Sequence, residues 1–556
     1  MKQTGILLVL SAALLCASCG KDDEDNSVAL QSITIEQGTS VELGAGQSLQ
    51  LTLVRTPANA TVNEEAVWHT SNETVATVGR STGLVNAVGA GNATVSATLG
   101  GKTAELAITV TETLVKQVID LGDGSNNYEI KGDLTLSYPN TYILKGFVYV
   151  TAGATLTIEP GVIVKGDKAS KGTLIVERGG EIIARGTKEQ PIVFTSSQEP
   201  GNRNPGDWGG LILLGNAPNN MGEQTIEGGV RSKHGGMNAN DNSGVLSYLR
   251  IEFAGIEYST DNEINGITFG SVGAGTTLDH LQVSYSGDDS FEWFGGTVNA
   301  THLVAYHGWD DDFDTDNGFS GKIQFALCIR DPETGDKSAS NGFESDNNAN
   351  GSTSEPYTSA VFANVSLFGP VADPASYTDR AGVNGSPVDA RFQAALHLRR
   401  NTQLSIFNSL VAAFPIGLII EDNGRGTAQT WATEGKLNVA NCILAGSIKN
   451  FQDAQFWRNN SPFDANDPGT FADTYFYRAE GGNQTFATLA ELKLSGSPQV
   501  FPASDSPLAS GAAWTNAKVS SGFSPVTYIG AFAPSETPAD NWMTGWCNFD
   551  PQHTAY

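Results

Sequence analysis

The sequence predicts an all-β chain: a small N-terminal β-sandwich followed by a long solenoid. Three observations carry this reading. First, Asp288-Asp289-Ser290-Phe291-Glu292 returns 22 residues later as Asp310-Asp311-Asp312-Phe313-Asp314, and His280-Leu281 returns as His302-Leu303 at the same offset. A looser copy, Phe343-Glu344-Ser345-Asp346-Asn347, follows Phe313-Asp314-Thr315-Asp316-Asn317 after 30 residues. A period near 22 with Gly-rich turns is one coil per repeat. Second, residues 31–112 alternate apolar and polar side chains in short runs, the period of a half-buried strand. Third, the 556 residues include 63 Gly and only 17% charged residues, which suits a β-rich extracellular protein. Acidic residues outnumber basic ones by 60 to 32, a net charge of −28. That charge repels polyanions, so no nucleic-acid partner is expected; divalent cations and neutral ligands are favoured.

Residues 1–19 read as a signal peptide. Lys2 supplies the positive start, and Ile6-Leu7-Leu8-Val9-Leu10 with Leu14-Leu15 supply a short apolar core. Cys16-Ala17-Ser18-Cys19 then resembles a bacterial lipobox, which implies a lipid on Cys19 and an anchor in the outer membrane. Residues 20–30 form an acidic tether. Its Gly20-Lys21-Asp22-Asp23-Glu24-Asp25 resembles the export signal of surface lipoproteins in the Bacteroidetes, which implies a domain facing the exterior. The alternative is an ordinary solvated tether facing the periplasm. Cys328, Cys442 and Cys547 remain, enough for one disulfide at most, and small buried residues are the simpler expectation.

Over 31–112 the strand runs include Ile33-Thr34-Ile35, Leu49-Gln50-Leu51-Thr52-Leu53 and Ala107-Ile108-Thr109-Val110. Between them lie Trp68-His69-Thr70-Ser71-Asn72, Val75-Ala76-Thr77-Val78, Gly83-Leu84-Val85 and Gly91-Asn92-Ala93-Thr94-Val95. This order resembles the bacterial immunoglobulin-like group 2 domain, an Ig-like β-sandwich, and implies a spacer or adhesive module with Trp68 in its core.

Coils are expected over 113–535. Ala154-Thr155-Leu156-Thr157-Ile158-Glu159-Pro160-Gly161 and Gly172-Thr173-Leu174-Ile175-Val176-Glu177-Arg178-Gly179 read as first rungs, 18 residues apart. Leu246 to Gly255 returns as Leu278 to Gly287, offset by 32, so one coil carries a ten-residue insertion. Later rungs include Ala363-Asn364-Val365-Ser366-Leu367 and Ala440-Asn441-Cys442-Ile443-Leu444. A helix is expected near Phe486 to Leu492, and residues 536–556 are expected to cap the open end. These rungs resemble the pectin-lyase-like right-handed parallel β-helix. That scaffold carries lyases, hydrolases, adhesins and inert spikes, so it does not give function by itself.

Stacked coils lie about 4.8 Å apart, so the repeats pile acid on acid. Phe291, Phe313 and Phe343 are expected to form an internal ladder. Strand parity then sends Glu292, Asp314 and Glu344 outward with Ser290 and Asp312. Asp289 and Asp311 share the Phe side, and a bend near Gly287 and Gly308 is expected to turn them out. Two carboxylates 5 Å apart repel by roughly 1 kcal/mol in water and about 3 kcal/mol at an effective dielectric of 20. Convergence of Asp288, Asp289, Glu292, Asp310, Asp311, Asp312, Asp314, Asp316, Glu344 and Asp346 would therefore require protonation or a cation. Calcium fits an irregular all-oxygen site best. Trp293 and Trp309 flank the edge and are candidates to stack on sugar rings; the alternative is that they fill rungs. His280 and His302 occupy stacked positions, as a metal-ligand pair or as a satisfied ladder.

Gly287-Asp288-Asp289-Ser290 is similar to the paired aspartates of polygalacturonases, which makes Asp288, Asp289, Asp310, Asp311 and His307 the candidates for catalysis. His307 stands off that family's register, and its Arg-Ile-Lys has no counterpart. The expected protein is a surface lipoprotein whose β-helix binds an extracellular ligand, glycan above all, with calcium at the acid edge. An outer-membrane transporter is a candidate partner. The alternatives are a polysaccharide lyase or hydrolase, and a non-catalytic structural adhesin.

Overall fold

A computed structural model of the chain describes residues 28–112, 116–260, 262–372, 374–375, 388–422, 424, 426–456 and 461–556. The signal peptide, Cys19 and most of the tether lie outside the described residues. The chain divides into two compact units, 1–115 and 116–556.

The first unit is a β-sandwich. Ser40–Gly44, Lys102–Thr111, Gly91–Leu99 and Val67–Thr70 form one sheet; Ser48–Gln50, Leu84–Ala87 and Ala76–Val78 form another. Its core gathers Trp68, Val85, Val95, Leu106 and Ile108. Trp68 is 5% exposed, and a Cβ built on Gly83 (φ +68°) would stand 2.8 Å from its ring, so the tight turn and the tryptophan require each other.

The second unit is a parallel β-helix with three strand columns per coil. Face one includes Leu134–Leu136, Thr155–Ile158 and Glu181–Arg185; face two includes Val118–Leu121, Thr141–Leu144, Ile163–Gly166 and Ile192–Ser196. Face three is an eleven-stranded sheet from Tyr128–Ile130 to Lys449–Gln452. In the middle coils faces one and two run as one long strand, bent at a left-handed residue: Tyr248 (φ 49°), His280 (56°), His302 (57°), Phe325 (60°) and Asn364 (55°). The repeat offsets give the observed register: Leu246 pairs with Leu278, Leu281 with Leu303, Phe291 with Phe313, and Phe313 with Phe343.

Three expectations are corrected. The two early runs are not stacked: Thr155 pairs with Glu181 on face one, and Thr173 pairs with Phe147 on face three. A short apolar strand between turns is the same local solution on every face, so local similarity does not report stacking. The helix expected near 486–492 is one 3-10 turn, Leu489–Leu492, with a Thr488–Glu491 capping box. The tail is not an end cap. It runs back along the outside of the coils, from the last towards the first. The Asn408 amide donates to the Ala513 carbonyl (3.2 Å), Ala531 N–H to Ser366 Oγ (2.9 Å), Asn548 N–H to Gln282 Oε1 (2.9 Å), Arg250 to the Trp546 carbonyl (2.7 Å) and Arg203 to the Pro551 carbonyl (2.5 Å). The reason is apolar: Val304, Leu327, Leu410 and Ile443 point out of the coils and need Val500, Ile529, Phe532 and Trp546 to cover them. The end of the inner core instead receives a short helix, Thr470–Phe476, whose Phe476 ring lies 5.2 Å from Phe451 of the last face-three strand. Cys328, Cys442 and Cys547 are free thiols.

Candidate functional site

Five successive face-three strands build the site: β1 (Ile267–Val272), β2 (Phe291–Gly296), β3 (Phe313–Asp316), β4 (Phe343–Ser345) and β5 (Ala394–Leu398). Ile267, Phe291, Phe313, Phe343 and Leu396 stack inward, in register. The Phe291–Phe313 and Phe313–Phe343 ring centroids lie 5.7 and 5.0 Å apart. The neighbouring position points outward and reads Thr268, Glu292, Asp314, Glu344, His397. Three consecutive rungs thus each present a carboxylate.

Insertions between coils wall these acids in. Glu227 comes from the chain between Leu214 and Gly244, Glu263 from the hairpin Glu257–Ser259/Asn262–Glu263, and Asp336, Lys337 and Ser338 from the chain between Ile329 and Phe343. With Asp288, Asp289, Glu292, Phe294, Asp310 and Asp314 they line a cleft of about 320 Å³. Lys337 is the basic side chain in that lining, and its Nζ lies 3.3 Å from Glu263.

Asp289 and Asp311 have a second duty. Asp289 Oδ1 accepts the Asp311 N–H (2.7 Å), Asp311 Oδ1 accepts the Asn341 N–H (2.5 Å), and Asn341 Oδ1 accepts the Ala394 N–H (3.1 Å). Each side chain holds the backbone of the next coil. The expected bend does bring Asp289 to the cleft, but both aspartates stay buried, at 7% and 4% exposure, because the ladder replaces part of their lost hydration. The expected outward course of Ser290 and Asp312 fails. Both are fully buried, since the strands begin only at Phe291 and Phe313 and parity does not extend into the turn. Asp312 pairs with buried Arg330 (3.0 Å) and accepts from the Cys328 thiol.

Loss of water and mutual repulsion raise these carboxyls. Asp311 is pushed up to about 7, Asp314 to about 8 and Asp316 to about 6, in each case chiefly by burial. Asp288, Asp289, Glu292, Asp310 and Asp346 are held well above the carboxylate range, again by burial first and by neighbouring acids second. Glu344 and Asp346 meet two cations: Arg399 contacts both, and Arg400 reaches Asp346 at 2.7 Å. Burial and Arg400 lower the Arg399 guanidinium to about 10.

Three overlapping triads have carboxylate oxygens within 4.8 Å of one another: Asp288/Asp289/Asp310, Asp289/Glu292/Asp314 and Asp311/Asp314/Glu344. Oδ1 of Asp310 and Oδ1 of Asp314 are buried without a protein partner, as is Oδ1 of Asn265, whose amide nitrogen binds Glu292. An all-oxygen set with unpartnered acceptors fits a hard divalent cation such as calcium.

The coil geometry agrees with sequence comparison. Residues 128–484 match the family model of the pectate-lyase-like β-helix domain, and residues 29–110 match that of the bacterial Ig-like domain, group 2. The chain belongs to the pectate-lyase-like β-helix family. No curated protein gives a significant match. Family membership supports a carbohydrate-related role, in binding or in lyase or hydrolase chemistry.

Other candidates on this β-helix lie elsewhere. Trp293 is fully buried between Phe269 (5.5 Å) and Phe319 (5.2 Å), so it cannot stack on a sugar. Trp309 is 37% exposed but outside the cleft lining. His307 stacks on Tyr306 (3.8 Å), is lowered to about 4 by burial, and does not reach the cleft. Tyr248, His280, His302 and Phe325 stack at 4.3, 4.2 and 5.1 Å, and both imidazole Nδ1 atoms face Asp279 at 2.7 and 3.4 Å. The two imidazole planes differ by 14°, so they cannot both aim an in-plane lone pair at one ion; this is a satisfied ladder. Asp316 continues the outward column beyond Phe294 and accepts the Asn317 N–H (2.6 Å).

Among the sites missed, Glu227, Glu263 and Asp336 sit in insertions without periodicity. Arg330, Arg399 and Arg400 are among the few basic residues near the repeats in sequence, and all three pair with acids of the repeats.

Proposed function

We propose that this chain is an outer-membrane surface lipoprotein, anchored through Cys19, whose β-helix binds extracellular glycan with calcium at the acid cleft. One observation carries the reading: eight carboxylates line a single cleft with one lysine among them. Asp288, Asp289, Asp310, Glu292 and Asp314 would hold the ion, with Asp311 and Glu344 extending the set. A bound calcium would neutralise the carboxylates and offer open coordination positions to glycan hydroxyls or carboxylates. Asp289 and Asp311 fix the rungs, the Phe column fixes the spacing, and the insertions limit access of water.

Calcium binding predicts a rise in melting temperature of several degrees in millimolar calcium relative to chelator. An unchanged melting temperature refutes the ion. A glycan array with and without calcium, read for binding and for released product, tests the ligand. Arg399 favours the second reading, a polysaccharide lyase or hydrolase, because a guanidinium lowered to about 10 stands beside the acids; unsaturated or hydrolysed product would select it. The anchor predicts palmitate labelling that Cys19→Ser abolishes; equal labelling of the variant excludes it.

A further inference from the structure

A second cavity of the β-helix is remote in sequence from the acid cleft. It lies on face one of the last coils, has a volume of about 650 Å³, and falls in the range of small-ligand sites. Its lining combines the half-buried ring of Phe471, set beside the buried Phe407 and Tyr475, with uncharged polar groups (Asn438, Asn441, Thr474), and the returning tail adds a wall through Ala513, Thr515 and Asn516. Phe471 and Tyr475, four residues apart on the helix Thr470–Phe476, hold their rings within 6° of parallel at 6.0 Å. The hydrogen-bonding inventory is open. Asn438 Nδ2 donates to the Gly435 carbonyl (2.9 Å), and Asn516 Oδ1 accepts the Lys518 N–H (2.9 Å), which leaves Oδ1 of the first and Nδ2 of the second to the cavity. The cavity is also nearly neutral in a chain of net charge −28. Its single cation, Arg478, is spent: it lies 3.7 Å from Glu480, donates to the carbonyls of Tyr475 (2.8 Å) and Val439 (3.1 Å), and stacks on the Tyr475 ring at 3.9 Å.

We propose that this cavity is a second ligand site, for a neutral oligosaccharide. Aromatic rings take the apolar faces of sugars, and side-chain amides and hydroxyls take their hydroxyl groups. A uronate would find no uncommitted cation there, and an apolar ligand would strand the amides. The site does not rest on the calcium reading of the acid cleft.

Calorimetric titration of the full chain with neutral gluco-, manno-, xylo- and galacto-oligosaccharides, and with oligogalacturonate, in chelator, tests it. Binding of at least one neutral series is expected, and oligogalacturonate is not expected to bind in chelator. Thr474→Trp, on the exposed helix surface, fills the cavity and should weaken that binding at least tenfold. Asn516→Ala should weaken it several-fold. Both should leave the melting temperature and its calcium response unchanged. Asp314→Asn, in the acid cleft, should leave neutral binding untouched. Absence of binding by every neutral series, unchanged affinity in Thr474→Trp, or loss in Asp314→Asn would overturn the proposal.

Discussion

Asp314 is the residue on which the acid cleft turns. It belongs to two of the three carboxylate triads, and its Oδ1 has no protein partner. Its folded pKa, about 8, stands above the unfolded value near 4. The folded state therefore binds more protons than the unfolded state across that interval, and stability without calcium falls as pH rises from about 4 to about 8. Asp311 and Asp316, raised to about 7 and about 6, add to the same slope at its lower end. Asp314→Asn removes the charge and keeps the shape. In chelator at pH 8 it should melt higher than the parent chain, and its calcium-induced shift should shrink. Scanning calorimetry from pH 4 to 8, with and without calcium, checks both; a flat pH profile for the parent chain in chelator would show the carboxyls to be ordinary surface acids. No such single residue could be chosen from sequence. The three repeated segments mark ten acids alike, whereas the structure separates Asp312, paired inside with Arg330, from Asp314, which faces the cleft.

At the scale of the element, the repeat is legible because stacking demands it. A coil can add to the last only if its Phe lands on the Phe below, so the 22- and 30-residue offsets are physical registers and appear unaltered in the pairing. The turn before each strand obeys a different constraint, the Asp289–Asp311–Asn341 side-chain ladder, which no periodicity announces. Asn341 performs with an amide what the two aspartates perform with a carboxylate. Asp289→Asn and Asp311→Asn should therefore fold, keep the backbone bonds, and be more stable than the parent in chelator. Asp289→Ala removes the acceptor for the Asp311 N–H and should cost about 1–3 kcal/mol, less any relief of repulsion. Denaturant melts of the Asn and Ala variants side by side make the comparison; an Asn variant as unstable as the Ala variant would mean that the charge, not the hydrogen bond, holds the turn.

Across the β-helix as a whole, the strand columns followed from short apolar runs, but the path of the tail did not. Sequence periodicity describes what faces inward, while Val304, Leu327, Leu410 and Ile443 are apolar residues on the outward side of their strands. An outward apolar column in a protein of this size needs a cover, and residues 487–556 supply it by retracing the coils. The cover is also polar where the coils are polar: Arg250, Gln282 and Arg203 spend their donors on tail carbonyls. Removing the tail would thus strand both apolar area and buried donors at once, and each stranded donor costs about 1–3 kcal/mol. Deleting 536–556 alone uncovers the Tyr248–His280–His302 stack, on which Trp542 and Trp546 lie. The shortened chain should lose protection from hydrogen exchange over the strands Gly244–Glu252, Thr277–Ser284 and Asn299–Tyr306, bind a hydrophobic dye, and retain the far coils near Ile443. If exchange were unchanged in those three strands, the tail would be an ornament on a self-sufficient helix; if protection vanished throughout, the tail would be required to fold the solenoid at all.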